Sequence, residues 1–322
     1  MRLLLTAPLL ALLACHPVPM TEVASFGDAA ASVAESSGEA FGLLNAAGGE
    51  QAAQVLIVLP PSDPAEAKLA WDNYDQAIDQ GIIPPTGLAD RQAMLVELSG
   101  YAASLSDLAT ADLKTEVEDA SASYLETLLS LNERFADLTG STPLLSSSTL
   151  VGVQQAVSLI GGTVLEAKRR SELRKIVPEA DPLVQKASAL LAADLKADGA
   201  LAKGTEQLLT NKIRLLQVYY NTHASQLSLD ERVALVDQVR LLHVQREETA
   251  ALYTAASGAA TALGAAHTAL VSALGDRSVT PDRFVTALGS LTRAASKMEE
   301  IRARLGGSAE DTSASDTDTK GQ

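Results

Sequence analysis

Four histidines, one cysteine and 40 carboxylates are the side chains of this 322-residue chain best equipped to bind a metal, attack a substrate or move a proton. His243 and Glu247 lie four apart, so a helix sets both on one face where they reach one metal ion, but no third ligand accompanies them and the HExxH arrangement is absent. A solvated helix face is therefore expected there, and no metal site. Asp72, Asp75 and Asp79 follow helical spacing around Trp71 without the glycine and loop of a calcium hand, and they too read as an exposed face. His223 is expected to end a helix, where a positive side chain suits the dipole, and His267 stands isolated in the sequence. No serine sits in a nucleophile-elbow motif, no glycine-rich phosphate loop follows a strand, and carboxylates are too abundant to single out a catalytic pair. The sequence assigns no catalytic residue and no cofactor.

Cys15 is different. It is the only cysteine, and it closes Leu12-Leu13-Ala14-Cys15 after the apolar run from Leu3 to Ala11, with a single positive charge at Arg2. A small residue precedes the cut of a secretory signal in this layout, and the apolar segment is shorter than the ~20 residues that span a bilayer. These residues resemble a bacterial lipoprotein signal, whose lipobox ends in a cysteine that is acylated and becomes the mature N-terminus. The resemblance covers residues 1–15 and no family is recognised for the mature domain. It implies a signal peptide over 1–14, lipidation of Cys15 with chains of the palmitate class, and a tether over 15–25. One acyl chain holds a protein only marginally, at ~0.8 kcal/mol per buried methylene, so two or three chains make the attachment essentially permanent. By the same resemblance His16, standing where an aspartate would redirect sorting, implies an outer-membrane lipoprotein, periplasmic or surface-exposed. The alternative is an ordinary signal peptide with an incidental cysteine.

Composition agrees with export. A mature domain without further cysteine has no disulfide and no stray thiol in an oxidising compartment, so burial alone must stabilise it. The 40 acidic residues against 25 basic ones exclude nucleic acid as the expected partner, because phosphate binding needs concentrated positive charge. The same acidity disfavours broad adsorption to anionic headgroups. With aromatics at 3% and alanine and leucine dominant, the expected fold is all-α, an elongated antiparallel helical bundle with long helices and coiled-coil-like packing.

The elements follow from breaks and periods. A weakly amphipathic helix is expected over 26–47, interrupted at Gly48-Gly49; the apolar run from Gln54 to Leu59 fits either a helix end or a strand, with helix preferred. Asp63-Pro64-Ala65-Glu66 restarts a helix that presents Trp71 and Tyr74, a possible partner surface. Met94, Leu98, Tyr101, Leu105 and Leu108 recur at three and four, as do Val117, Ala120, Tyr124, Leu128, Leu131, Phe135 and Leu138, with Thr110 or Asp112 as a cap between the two series. A helix over 149–176 is expected to halt at Pro178, and a very long one over 181–222 to extend ~60 Å. Ser228 to Glu231 form a capping box that opens another long helix carrying Val236, Val239, Leu242, Leu252, Leu263 and Leu270. A final helix from Asp282 bears a narrow seam, Phe284 to Leu305. The bundle domain is placed at 26–305 and an acidic disordered tail at 306–322.

Two intervals carry no charge, between Asp137 and Glu166 and between Glu248 and Asp276. Close packing at the bundle centre is the expected use of both, since glycine and alanine let backbones approach. The alternative makes them a concealed membrane-active element, with Leu150, Val153 and Ile160 in the first. The expected function is thus a non-enzymatic, lipid-anchored envelope protein with a structural or protein-interaction role, held to the membrane by its anchor and meeting a protein partner in the envelope. Membrane permeabilisation is the first alternative, and an anchored enzyme or ligand-binding protein the second.

Overall fold

The two apolar series between Met94 and Leu138 fold as adjacent helices, and their members are buried with the exception of the half-buried Leu138. This computed structural model describes residues 20–58, 63, 66, 68, 71, 72, 75, 85–161, 166–275 and 282–314. Among them run eight long helices: α1 (Met20–Val58), α2 (Pro85–Thr110), α3 (Lys114–Thr139), α4 (Ser147–Gly161), α5 (Glu166–Asp194), α6 (Ala200–His223), α7 (Leu229–Gly275) and α8 (Asp282–Ala314). Glu66, Lys68, Trp71, Asp72 and Asp75 are also helical, with the Glu66 amide donating to Asp63 Oδ1 at 2.9 Å as the capping sequence implies. The described residues contain no strand, and the fold is all-α.

Several ends differ from expectation. α1 starts at Met20, passes through Gly48-Gly49 and includes Gln54–Val58, so that apolar run is helical; Leu59 lies outside the described residues. α4 is described as far as Gly161 and α5 from Glu166, residues 162–165 lying outside the described residues, and α5 runs through Pro178 and Pro182 without stopping. Each proline removes one bond, to the carbonyls of Arg174 and Pro178. Both rings avoid the buried stripe of Ile176, Val177, Ala180, Leu183 and Val184, so the lost bonds fall on the outer side, where water can replace them. The expected 60 Å helix is instead two, α5 and α6, parted where Gly199 takes an extended backbone (φ −74°, ψ 172°) and its amide donates to the Lys196 carbonyl at 2.8 Å. Leu113, not Thr110 or Asp112, is the N-cap of α3, and the Glu116 carboxylate accepts from the amides of Asp112 and Leu113. The box at α7 forms as read: Glu231 accepts from the Ser228 amide at 2.7 Å and donates its own amide to Ser228 Oγ. α8 continues past Gly306-Gly307 to Ala314, so residues 306–314 are helical where a tail was expected.

α7 organises the bundle. It packs against α1, α5, α6 and α8, and its uncharged half fills the core with Ala256, Ala259, Ala260, Leu263, Ala266, His267 and Leu270, all at most 1% exposed. Gly264 lets α5 close in: a Cβ there would stand 3.0 Å from Gln185 Oε1. α5 and α7 are antiparallel, since Gln185 meets Gly264 while Ser257 reaches the Ala192 carbonyl. The first uncharged interval is not central. Its helical part described to Gly161 is mainly α4, which packs on α3 and α5 through Val153, Ala156, Val157 and Ile160 and turns Gln154, Gln155 and Ser158 outward. The opening half of α7 joins α6 in a smaller core of Leu209, Ile213, Leu216 and Leu242; Val236, expected inside, is 56% exposed.

Candidate functional site

The core of the described residues contains a constellation of Asp, His and Tyr side chains, and His267 is its hub. α7 carries His267 into the centre, where its side chain is fully buried. Its Nδ1 lies 2.8 Å from Asp181 Oδ1 on α5, and its Nε2 lies 2.8 Å from the Tyr101 hydroxyl on α2. An ionised carboxylate only accepts, so the ring donates from Nδ1 to Asp181 and meets the Tyr101 hydroxyl at Nε2. The Tyr101 ring also packs on Tyr124 of α3, with ring centroids 5.3 Å apart, and the Tyr124 hydroxyl donates to the Ile176 carbonyl at 3.4 Å. Phe26 of α1 closes the remaining side, 5.8 Å from the imidazole centroid. The outer end is wetter: Asp181 is 25% exposed and also accepts from Thr268 at 3.3 Å and Gln185 at 3.4 Å.

The electrostatics follow from depth. Burial pushes the Tyr101 phenol well above its ordinary range, and the nearby Tyr124 and Asp181 push the same way. Burial raises Tyr124 too. The bond from His267 holds the Asp181 carboxyl below its ordinary value, outweighing partial burial, and Gln185 and Thr268 help. Asp, His and a hydroxyl in series form the order that activates a nucleophile in hydrolases. Here the hydroxyl is kept protonated and is covered together with the imidazole, so the geometry suits a hydrogen-bond clasp that ties α2, α3, α5 and α7 at one level.

The other candidates do not converge on this centre. Cys15, Tyr74 and Asp79 lie outside the described residues. Trp71 is 55% exposed, and Asp72 and Asp75 are exposed as expected. Leu150 is half-buried, while Val153 and Ile160 belong to the core. His243 is half-buried and Glu247 exposed, and no group of three metal-ligating side chains occurs among the described residues. His223 ends α6, stacked on Tyr219 with its Nδ1 3.1 Å from the Tyr219 carbonyl. A groove of about 560 Å³ runs between α1 and α2 past Ala34, Gly38, Gly42, Leu95 and the exposed Val96, away from the clasp.

His267 was legible only as a histidine alone in an uncharged interval; that isolation is the signal, because an ionisable group at such a position needs partners from other helices. Comparison with known protein families, with curated proteins and with solved structures finds no match to this chain.

Proposed function

We propose that this chain is a lipid-anchored, non-enzymatic helical-bundle protein of the bacterial cell envelope, an outer-membrane lipoprotein with a structural or protein-interaction role. The carrying observation is the lipobox, Leu12 to Cys15, at the end of a short apolar N-terminus. The fold supports the reading in two ways. α1 begins at Met20, five residues beyond Cys15, so the bundle stands within about 17 Å of its anchor even on a fully extended leash. The Asp181–His267–Tyr101 set joins α5, α7 and α2 to one another inside the core. An extended bundle fixed at one end would present the exposed Leu229, Val233 and Val236 of α7 and the Trp71 helix to a partner. Metabolic labelling with a fatty-acid probe tests the anchor: the label should be carried by the wild type and lost in Cys15→Ser, and equal labelling of both refutes it. Affinity capture of the anchored protein from crosslinked cells tests the interaction role.

Membrane permeabilisation is the second reading, favoured by α7. That helix is long and apolar enough by length and composition to cross a membrane, although 44% of its apolar window is buried inside the protein.

A further inference from the structure

Two features of the chain meet at one end of the bundle and serve no purpose in its core. α4 carries no charge, and its outer face repeats Val151, Gln155 and Leu159 at four-residue spacing, with Val151 51% and Leu159 48% exposed. α5 then opens with Lys168, Arg169, Arg170, Arg174 and Lys175, five of the chain's 25 basic side chains within eight residues that hold a single acid, Glu172. We propose that α4 and the start of α5 form a membrane-docking face, in which Val151 and Leu159 settle among the headgroups of an anionic phospholipid surface while Lys168, Arg174 and Lys175 meet the lipid phosphates. This inference deepens the envelope reading and rests on its anchor for the membrane that the face meets.

Register puts this face beside the anchor. α1 and α2 are antiparallel, for Ser106 Oγ donates to Asp28 at 3.0 Å while Gly38 lies beside Leu95. α2 and α5 are antiparallel too: Arg91 holds Asp194 at 2.7 Å at one end, and Arg169, 6% exposed, donates to the Ala111 carbonyl at the other. From the level of Asp28 and Ser106, α1 reaches back to Met20 over ~12 Å and α2 runs on to Ala111 over ~8 Å, in the same direction. The start of α1 is therefore level with the start of α5 to within about one helical turn. α4 comes to that end as well, since only residues 162–165 separate its Gly161 from Glu166 of α5. Cys15, five residues before Met20, is thus tied to the end of the bundle that bears the cations.

Cations beside an uncharged, partly apolar helix face make an interfacial element: the apolar area drives partition, and each Lys or Arg near an anionic surface adds about fivefold. Lys168 is exposed, and the Lys175 side chain is 59% exposed with its ammonium on Glu172. Arg174 is half-buried, and its Nε meets no acceptor among the described residues. Long stems let such heads reach outward to phosphate. The carboxylates at this end lie elsewhere: Asp107, Glu116 and Asp119 gather on a groove between α2 and α3, and Glu118 is held by Lys114 at 3.4 Å. Glu179 of α5 stands one turn beyond Lys175, further from the anchored end.

The test uses the full chain reconstituted in vesicles, with Leu159→Cys carrying an environment-sensitive maleimide dye. An acylated Cys15 has no free thiol, so a single dye reads residue 159, and Val236→Cys, ~46 Å along α7 from His267 and away from the anchored end, is the reference. In phosphatidylcholine vesicles containing phosphatidylglycerol the dye at 159 should be at least about twofold brighter than in phosphatidylcholine alone, the dye at 236 should not change, and ~0.5 M salt should remove most of the gain. Lys168→Gln with Arg174→Gln and Lys175→Gln should abolish it, a loss of about a hundredfold in partition, and the exposed pair Lys168→Gln, Lys175→Gln alone should lose about 25-fold if the triple variant does not fold. Equal brightness of the 159 dye in the two vesicle types, or lysine variants as bright as wild type, overturns the proposal. Two dyes per chain would instead refute the anchor, and flotation of the undyed chain then decides the face: binding to phosphatidylglycerol vesicles that the same substitutions weaken supports it, and no binding overturns it.

Discussion

Asp181 receives its strongest hydrogen bond from His267 and lesser ones from Thr268 and Gln185, and these donors keep its carboxyl below the ordinary range. A carboxyl whose folded value lies below its unfolded one adds stability that is complete above the unfolded value and is lost as the pH falls through the lowered folded value. Asp181→Asn should therefore destabilise the protein at pH 7 by about 1 kcal/mol, a charge-assisted bond discounted because the carboxylate is partly wet. The gap between wild type and variant should close as the pH drops below the ordinary carboxyl range, which denaturant titrations at pH 7 and pH 3 would read. A gap that is constant with pH would mean that the aspartate matters for shape alone. Sequence inspection left His267 isolated because its partners arrive from 86 and 166 residues away. Periodicity reports which face a residue occupies, and it is silent on which residue of another helix comes to the same level.

Among the elements, glycine sets how closely α1 approaches α2. A Cβ at Gly27 would fall 2.4 Å from the Ala102 carbonyl oxygen and 2.7 Å from Ser106 Cβ, whereas one at Gly42, on the same helix, meets nothing within 4 Å. Alanine is the better helix former by ~1 kcal/mol at either site, so only packing separates them. Gly27→Ala should cost about 1–3 kcal/mol net by forcing the two backbones apart, while Gly42→Ala should be neutral or stabilising by up to ~1 kcal/mol. Thermal melts of the two variants would distinguish the sites, and equal shifts would remove the packing argument. The cores of α2, α3 and α8 were readable because each puts its apolar residues at regular three- and four-residue intervals along one buried face. Breaks expected at Gly48-Gly49, Pro178 and Gly306-Gly307 did not form, because helix breakers act locally while neighbouring helices continue to reward the helical path. The break over 195–199 shows the converse, a short turn closed by Gly199 as the N-cap of α6 dividing what periodicity read as one helix.

For the molecule as a whole, membrane entry by α7 would require dismantling the bundle, since the helix packs against α1, α5, α6 and α8 and contributes the hub of the clasp. Anchor-free protein added to dye-loaded liposomes at neutral pH should therefore release no more dye than buffer does, and Tyr101→Phe, by weakening the clasp, should be the first variant to leak if α7 ever inserts. Prompt release by the wild type would instead establish the permeabilising reading. The all-α class was legible from composition; the arrangement around α7 was not, because it depends on which uncharged interval the other helices enclose. One consequence follows from where that helix lies along the chain. Among the eight long helices of the described residues α7 comes seventh, so residues 1–228 leave the ribosome before the segment that packs against α1, α5 and α6. Until that segment arrives, α1, α5 and α6 lack a helix they pack against, and Asp181 and Tyr101 have no His267 to meet, so the first five helices can pair with one another before the level that joins them is locked.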